Sequence, residues 1–258
     1  MAGARTIAAG ACTSALALCL AGAALAAPTV ALRAGFEPER LGHSAAVTLT
    51  IRIAHSPGAP VPPPLIAVDL RYPAGLDLQL SGLGIDACGA ASLELLGLEG
   101  CPPDSLMGRG SAVAELPVKH QALLEAAKVA IVRTGERDGH FAALIYVYGE
   151  TGVSAQIILP ALLLPAARPF GGRLAIQVPL VPSLPETEDV SVGEIHLVIG
   201  PPDLLYYERV GSRLVAYRPS GIKLPGRCPH GGFRFALQLG FLGGESASAA
   251  TAVPCPRR

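Results

Sequence analysis

From Val47 onward the chain repeatedly switches between apolar and polar residues with a period of two. Val47, Leu49, Ile51 and Ile53 alternate with Thr48, Thr50 and Arg52. Ile66, Val68, Leu70 and Tyr72 alternate with Ala67, Asp69 and Arg71. Leu174, Ile176 and Val178 alternate with Arg173, Ala175 and Gln177, and Ile195, Leu197 and Ile199 lie opposite Glu194 and His196. Phe233, Phe235, Leu237, Leu239 and Phe241 repeat the pattern against Arg234, Ala236, Gln238 and Gly240. Successive strand side chains point to opposite faces, so each run predicts a half-buried antiparallel strand. Phe141 to Tyr148 and Val153 to Leu159 are apolar on both faces, which predicts central strands.

Breaks between these runs are frequent. Pro57 to Pro64 holds five prolines, which excludes regular structure there. Pro73-Ala-Gly75, Gly171-Gly172, Pro201-Pro202 and Pro219-Ser-Gly221 end other runs. About a dozen short strands with such breaks predict an all-β protein. The expected form is an antiparallel β-sandwich, Ig-like or of a larger two-sheet type. Two segments have helical composition: Ala90 to Leu96, and Gln121 to Lys128, which runs into the β-like Val129 to Val132. The organisation expected is one disulfide-stapled domain over residues 27–258. Its alternative is two smaller β domains split near residue 117.

The first 26 residues read as an address rather than as fold. Arg5 is the only charge before Arg33, and the run from Ile7 to Leu25 is apolar and rich in Ala and Leu. Ala24-Leu25-Ala26 then supplies small residues around a cleavage point. This is the pattern of a secretory signal peptide, with the cut expected after Ala26. A retained anchor is the competing reading, since the run approaches bilayer-spanning length. Leu18 before Cys19 does not fit a lipoprotein site, and Cys12 comes too early for one. No later apolar run is long enough to span a membrane as a helix, so no transmembrane segment is expected in the mature chain.

Outside the leader the cysteines are Cys88, Cys101, Cys228 and Cys255. An even number in an exported chain reads as disulfides. Of the three possible connectivities we take Cys88–Cys101 with Cys228–Cys255. The second pair has a geometric argument. Phe233 to Phe241 is one strand, Gly243-Gly244 a turn, and Ser246 to Val253 a returning strand. Cys228 and Cys255 then meet at the open end of that hairpin, where cross-strand neighbours are close enough to bridge. A four-cysteine metal site is disfavoured, because no pair has C-x2-C spacing.

Composition removes several functional classes. Twenty basic residues balance twenty acidic ones, giving a net charge of zero, and no basic block occurs. That argues against an electrostatic nucleic-acid binder. Half the residues are hydrophobic and 16% are charged, which excludes a disordered chain. No G-x-S-x-G elbow is present, and His43, His55, His120, His140, His196 and His230 each lack a recognisable triad context. Glu186, Glu188 and Asp189 form the densest acidic group, without the spacing of a calcium loop. No cofactor motif occurs, and no cofactor or metal is expected. Leu184-Pro-Glu-Thr187 lacks the Gly and the apolar tail of a wall-sorting signal.

Two apolar segments are candidate contacts. Ile157 to Phe170 carries six Leu or Ile residues in its first eight positions, with Leu162, Leu163 and Leu164 between Pro160 and Pro165. Such a run is either core or an exposed lip. Tyr206 and Tyr207 are the second candidate, since tyrosine is amphipathic and frequent at interfaces.

The element Cys101-Pro-Pro-Asp-Ser-Leu-Met-Gly-Arg-Gly110 is similar to C-P-x-x-S-x-x-G-x-G. It is accompanied by Gly172-Arg-Leu through Pro179, Tyr206-Tyr-Glu-Arg-Val210, Cys228-Pro-His-Gly-Gly-Phe233-Arg-Phe235 and Pro254-Cys-Pro256. As a set these resemble a group of uncharacterised exported proteins of high-GC, actinobacterial-type bacteria. The resemblance covers most of the mature chain and implies no activity and no site residues. The function expected is that of a non-catalytic protein of the cell envelope or extracellular space, structural or partner-binding. The partner expected is an envelope protein or an apolar ligand. The alternatives are a carrier of apolar small molecules or lipids, and a hydrolase whose triad is not visible in sequence.

Overall fold

The computed structural model describes residues 28–78, 82–118, 121–149, 156–181, 189–200 and 204–256. The expected leader, His120, residues 153–155 and the acidic residues Glu186 and Glu188 lie outside them. The first strands are β1 (Thr29–Glu37), β2 (Ser44–Ala54), β3 (Leu65–Pro73) and β4 (Asp77–Leu78). One helix, α1 (Ala90–Leu96), follows, and then β5 (Leu106–Val118), β6 (Gln121–Arg133), β7 (Ala142–Gly149), β8 (Gln156–Leu164) and β9 (Phe170–Gln177). The chain continues through β10 (Ser191–Ile199), β11 (Tyr206–Val210), β12 (Arg213–Tyr217), β13 (Ile222–Lys223), β14 (Phe233–Phe241) and β15 (Ser246–Val253). Among the described residues the architecture is all-β and antiparallel with one short helix and two single 3-10 turns, Gly97–Gly100 and Pro103–Ser105.

Among the described residues thirteen strands form one sheet, and β11–β12 stand apart as a two-stranded ribbon. The long path runs β15-β14-β3-β9-β8-β7-β6-β5-β10-β2, with β1 on β2 and the short β13 and β4 beyond. β1 also lies alongside β15, so the sheet rolls until its two ends meet and is nearly closed into a barrel. The two layers expected from the sequence are therefore parts of one continuous surface. From β1 round to β15 the path has eleven strands joined by ten antiparallel steps. An odd circuit leaves its end strands running in the same direction, and no antiparallel ladder can join them.

The inward faces supply one contiguous core. It includes Leu49 and Ile51 of β2, Val68 and Leu70 of β3, Ile131 of β6 and Ile145 of β7. From β14 it takes Phe233, Phe235, Leu237, Leu239 and Phe241. Phe36 of β1 meets Phe233 edge to face at 5.0 Å, which ties the first strand to the last hairpin. A second apolar layer covers the outer face of β6, β7 and β8. There Leu93 of α1 and Cys88 pack on Ala130, Val132, Leu144 and Tyr146.

Gln121 to Lys128 forms the first half of β6 and not a helix. It pairs with β5 from Val118↔Gln121 to Ser111↔Lys128, in one ladder with the residues that follow. Helix propensity differs by only tenths of a kcal/mol among these residues, and continuous cross-strand pairing overrides it. Leu116 and Pro117 lie inside β5 within the same ladder. Both cysteine pairs form as expected, Cys88–Cys101 and Cys228–Cys255, with Cα separations of 5.0 and 5.8 Å. Phe233 pairs with Val253, so the second bridge closes the open end of the β14–β15 hairpin. Among the described residues no helix is long and apolar enough to cross a membrane.

Candidate functional site

The β11–β12 ribbon is built on Tyr206. Its side chain is fully buried, and its hydroxyl donates to the Leu106 carbonyl at 2.5 Å while accepting from the Gly84 amide at 2.8 Å. The Asp104 carboxylate accepts from the Tyr207 amide at 3.2 Å. Tyr206 also meets Tyr217 edge to face, their ring centres 6.0 Å apart. Those two residues are the innermost cross-strand pair of the ribbon. Burial pushes the Tyr206 phenol up to about 12; the Gly84 hydrogen bond opposes this, while Asp104 and Tyr217 add to it. Tyr217 is raised by burial first and then by Asp104, Glu208 and Asp86.

This base is continuous with the first disulfide loop. Arg133 donates through Nη1 to the carbonyls of Gly84 and Ile85, at 3.0 and 2.8 Å. The Cys88 amide donates to the Arg133 carbonyl at 2.8 Å. The Cys88–Cys101 staple, β6 and the ribbon root therefore share one hydrogen-bonded junction.

Beyond its base the ribbon projects from the body. Gly211 and Ser212 turn the chain, with Gly211 at φ +63°, a conformation glycine adopts without a Cβ penalty. Val210 and Leu214 are 58% and 63% exposed, and Leu205, Tyr207 and Val215 are exposed as well. Strand alternation puts Val210 and Val215 on one face, with Leu205, Tyr207 and Leu214 on the other. Apolar groups thus face outward on both sides. Arg209 and Arg213 flank the tip, whereas Asp86, Asp104 and Glu208 lie toward the base.

The two tyrosines singled out from sequence have different roles. Tyr206 is the buried anchor and Tyr207 is exposed. Leu162, Leu163 and Leu164 are half-buried in β8, which belongs to the large sheet and not to this ribbon. Leu162 and Leu164 share the outward side of the strand with Ile158, which packs in the outer apolar layer. Leu163 lies on the inward side with Ala161. Pro160 is tolerated between β7 and β9 because the β9 ladder begins only at Ala161.

Leu205, Val210, Leu214 and Val215 were not recognisable as a contact surface from the sequence. Their signal is the five-residue run on each side of Gly211-Ser212, a two-residue hairpin spacing.

Two surface concavities lie elsewhere. One of about 460 Å³ lies against β14 and β15, with Arg71, Gln238, Ser246 and Ser248 among its lining. The other, about 230 Å³, lies between Pro73, Pro169, His230 and Arg234. Neither is lined by Leu162, Leu163 or Leu164. His196 shares a hydrogen bond with the Thr50 hydroxyl at 3.1 Å, and His55 donates to the Ser56 carbonyl at 3.1 Å, with no carboxylate in either contact. Among the described residues no three His, Cys, Asp or Glu side chains cluster closely enough to hold a metal. Compared with known proteins, the chain matches no family model, no curated protein and no solved structure.

Proposed function

We propose that the protein is an exported, non-catalytic binding protein of the cell envelope or extracellular space, and that the β11–β12 ribbon is its contact element. The observation that carries this reading is the outward display of Leu205, Tyr207, Val210, Leu214 and Val215 together on one ribbon; Leu95 and Leu96 of α1 and Leu123 and Leu124 of β6 are exposed elsewhere. Contiguous exposed apolar surface marks interaction sites. Because both faces of the ribbon carry exposed apolar residues, the partner is a protein with a cleft that encloses it rather than a flat surface. Arg209 and Arg213 at the tip call for acidic residues in that cleft.

Export is supported by the Ala- and Leu-rich leader sequence and by the two disulfides, which are compatible with an extracellular protein. The fold gives the ribbon a rigid root, because Tyr206 is held by two backbone groups and cannot move without breaking both bonds.

The test is retention on washed cell envelopes. Wild-type protein is expected to remain bound, and protease treatment of the envelopes is expected to release it. Val210→Asp combined with Leu214→Asp is expected to abolish retention with the melting temperature unchanged. Equal retention of the folded double variant would overturn the assignment.

A further inference from the structure

A different face of the barrel carries a second pattern. Arg33 of β1 stands opposite Thr50 of β2, and Thr50 opposite His196 of β10. His196 stands opposite Ser111 of β5, Ser111 opposite Lys128 of β6, and Lys128 opposite Tyr148 of β7. All six residues belong to one transverse row on the outward side of the sheet. Nitrogen-bearing side chains occupy β1, β10 and β6; hydroxyls occupy β2, β5 and β7. Arg33, His196, Ser111 and Lys128 are exposed, and Thr50 and Tyr148 are half-exposed.

We propose that this row binds an extended acidic glycan that carries a carboxylate on every second sugar. Neighbouring strands are about 4.8 Å apart, so the nitrogen-bearing side chains recur roughly every 10 Å and the row from Arg33 to Lys128 spans about 19 Å. That repeat suits a chain with charge on alternate sugars, and the hydroxyls between suit the neutral sugars. A polyanion charged at every unit would call for contiguous cations instead.

The flanking rows do not continue the pattern: one contains Ala31, Arg52, Glu194 and Val113, the other Gly35, Thr48, Val198 and Arg109. Arg52 is engaged by Glu194 at 3.3 Å, which occupies the nearest carboxylate of the flanking row. Glu37 and Glu115 lie four residues along their strands from the row, and Glu125 lies three residues from Lys128 on β6. The row is also held in place. His196 and Thr50 share a hydrogen bond, and the Lys128 ammonium lies 5.8 Å from the centre of the Tyr148 ring. Gly110 lets β5 and β10 approach, since a Cβ there would come within 2.0 Å of the His196 carbonyl oxygen.

The test is calorimetric titration of the full mature protein with hyaluronan oligosaccharides, which carry a carboxylate on every second sugar. Binding that weakens with salt is expected. Arg33→Gln with Lys128→Gln is expected to lose roughly tenfold in affinity or more, and Lys128→Arg to retain it. Thr50→Val with Ser111→Ala is expected to lose roughly threefold with the salt dependence unchanged. Arg234→Gln, on β14, is expected to leave the affinity as it is. Absence of binding by the folded wild type, or an equal loss from Arg234→Gln, would overturn the proposal. So would polyphosphate binding as tightly as the glycan.

Discussion

The Gly84 amide donates its hydrogen bond to the Tyr206 hydroxyl, across 122 positions of sequence. This contact roots a ribbon with which no other strand pairs among the described residues. An isolated two-stranded hairpin is marginal in water, so its orientation depends on what holds its base. Tyr206→Phe keeps the ring and removes the hydroxyl. The Gly84 amide and the Leu106 carbonyl then lose their partner in a buried place. A cost of about 1–3 kcal/mol is expected, read as a lower midpoint in urea unfolding. Hydrogen exchange should also quicken across residues 205–217. Unchanged protection there would show that the ribbon is held by something else.

Alkaline pH tests the same hydroxyl by another route. The Tyr206 phenol is raised from 10 to about 12 in the folded protein. The folded state therefore holds its proton more tightly than the unfolded chain does. The resulting stability is fully present below pH 10 and is lost as pH rises from about 10 to 12. Tyr72, Tyr146 and Tyr217 are raised as well and contribute with the same sign. Unfolding midpoints measured from pH 9 to 12 should fall more steeply for wild type than for Tyr206→Phe. Parallel curves would assign the alkaline loss to the other tyrosines.

Much of the fold was legible because burial and strand period agree. Phe233 to Phe241 alternates in sequence and alternates between core and surface in the structure. The Cys228–Cys255 pairing followed from the same hairpin, since both cysteines sit just beyond Phe233↔Val253. Two features were not legible for physical reasons. Gln121 to Lys128 has helical composition, and only its partner β5, contributed by the preceding segment, makes it a strand. The row from Arg33 to Tyr148 depends on the register of six strands whose spatial order differs from their sequence order. Adjacent tyrosines such as Tyr206 and Tyr207 look alike in sequence, and strand alternation alone sends one inward and the other outward.

The two disulfides close segments of different length, with separations of 13 and 27 residues. Chain-entropy arguments assign about 3 kcal/mol to the first and about 3.5 kcal/mol to the second. Replacing Cys228 and Cys255 together by Ser should lower the unfolding free energy by about that amount, while the far-ultraviolet spectrum stays that of a β protein. Loss of β signal at room temperature would show that the β14–β15 hairpin cannot form unless it is clamped.

Core and ribbon should respond oppositely to substitution. Leu239 is completely buried among the inward residues of the sheet, and Leu239→Ala should cost about 2–5 kcal/mol through lost transfer energy and the cavity left behind. Leu214 is 63% exposed and its removal leaves no cavity, so Leu214→Ala should stay within about 0.5 kcal/mol of wild type. An exposed leucine that adds nothing to folding is maintained against water at some cost to solubility. The combination of a neutral melting curve for Leu214→Ala and lost envelope retention for the Val210→Asp, Leu214→Asp pair separates a contact surface from a structural one. If Leu214→Ala instead lowers the melting temperature as far as Leu239→Ala does, the ribbon is packed against the body in solution and cannot be the element that meets a partner.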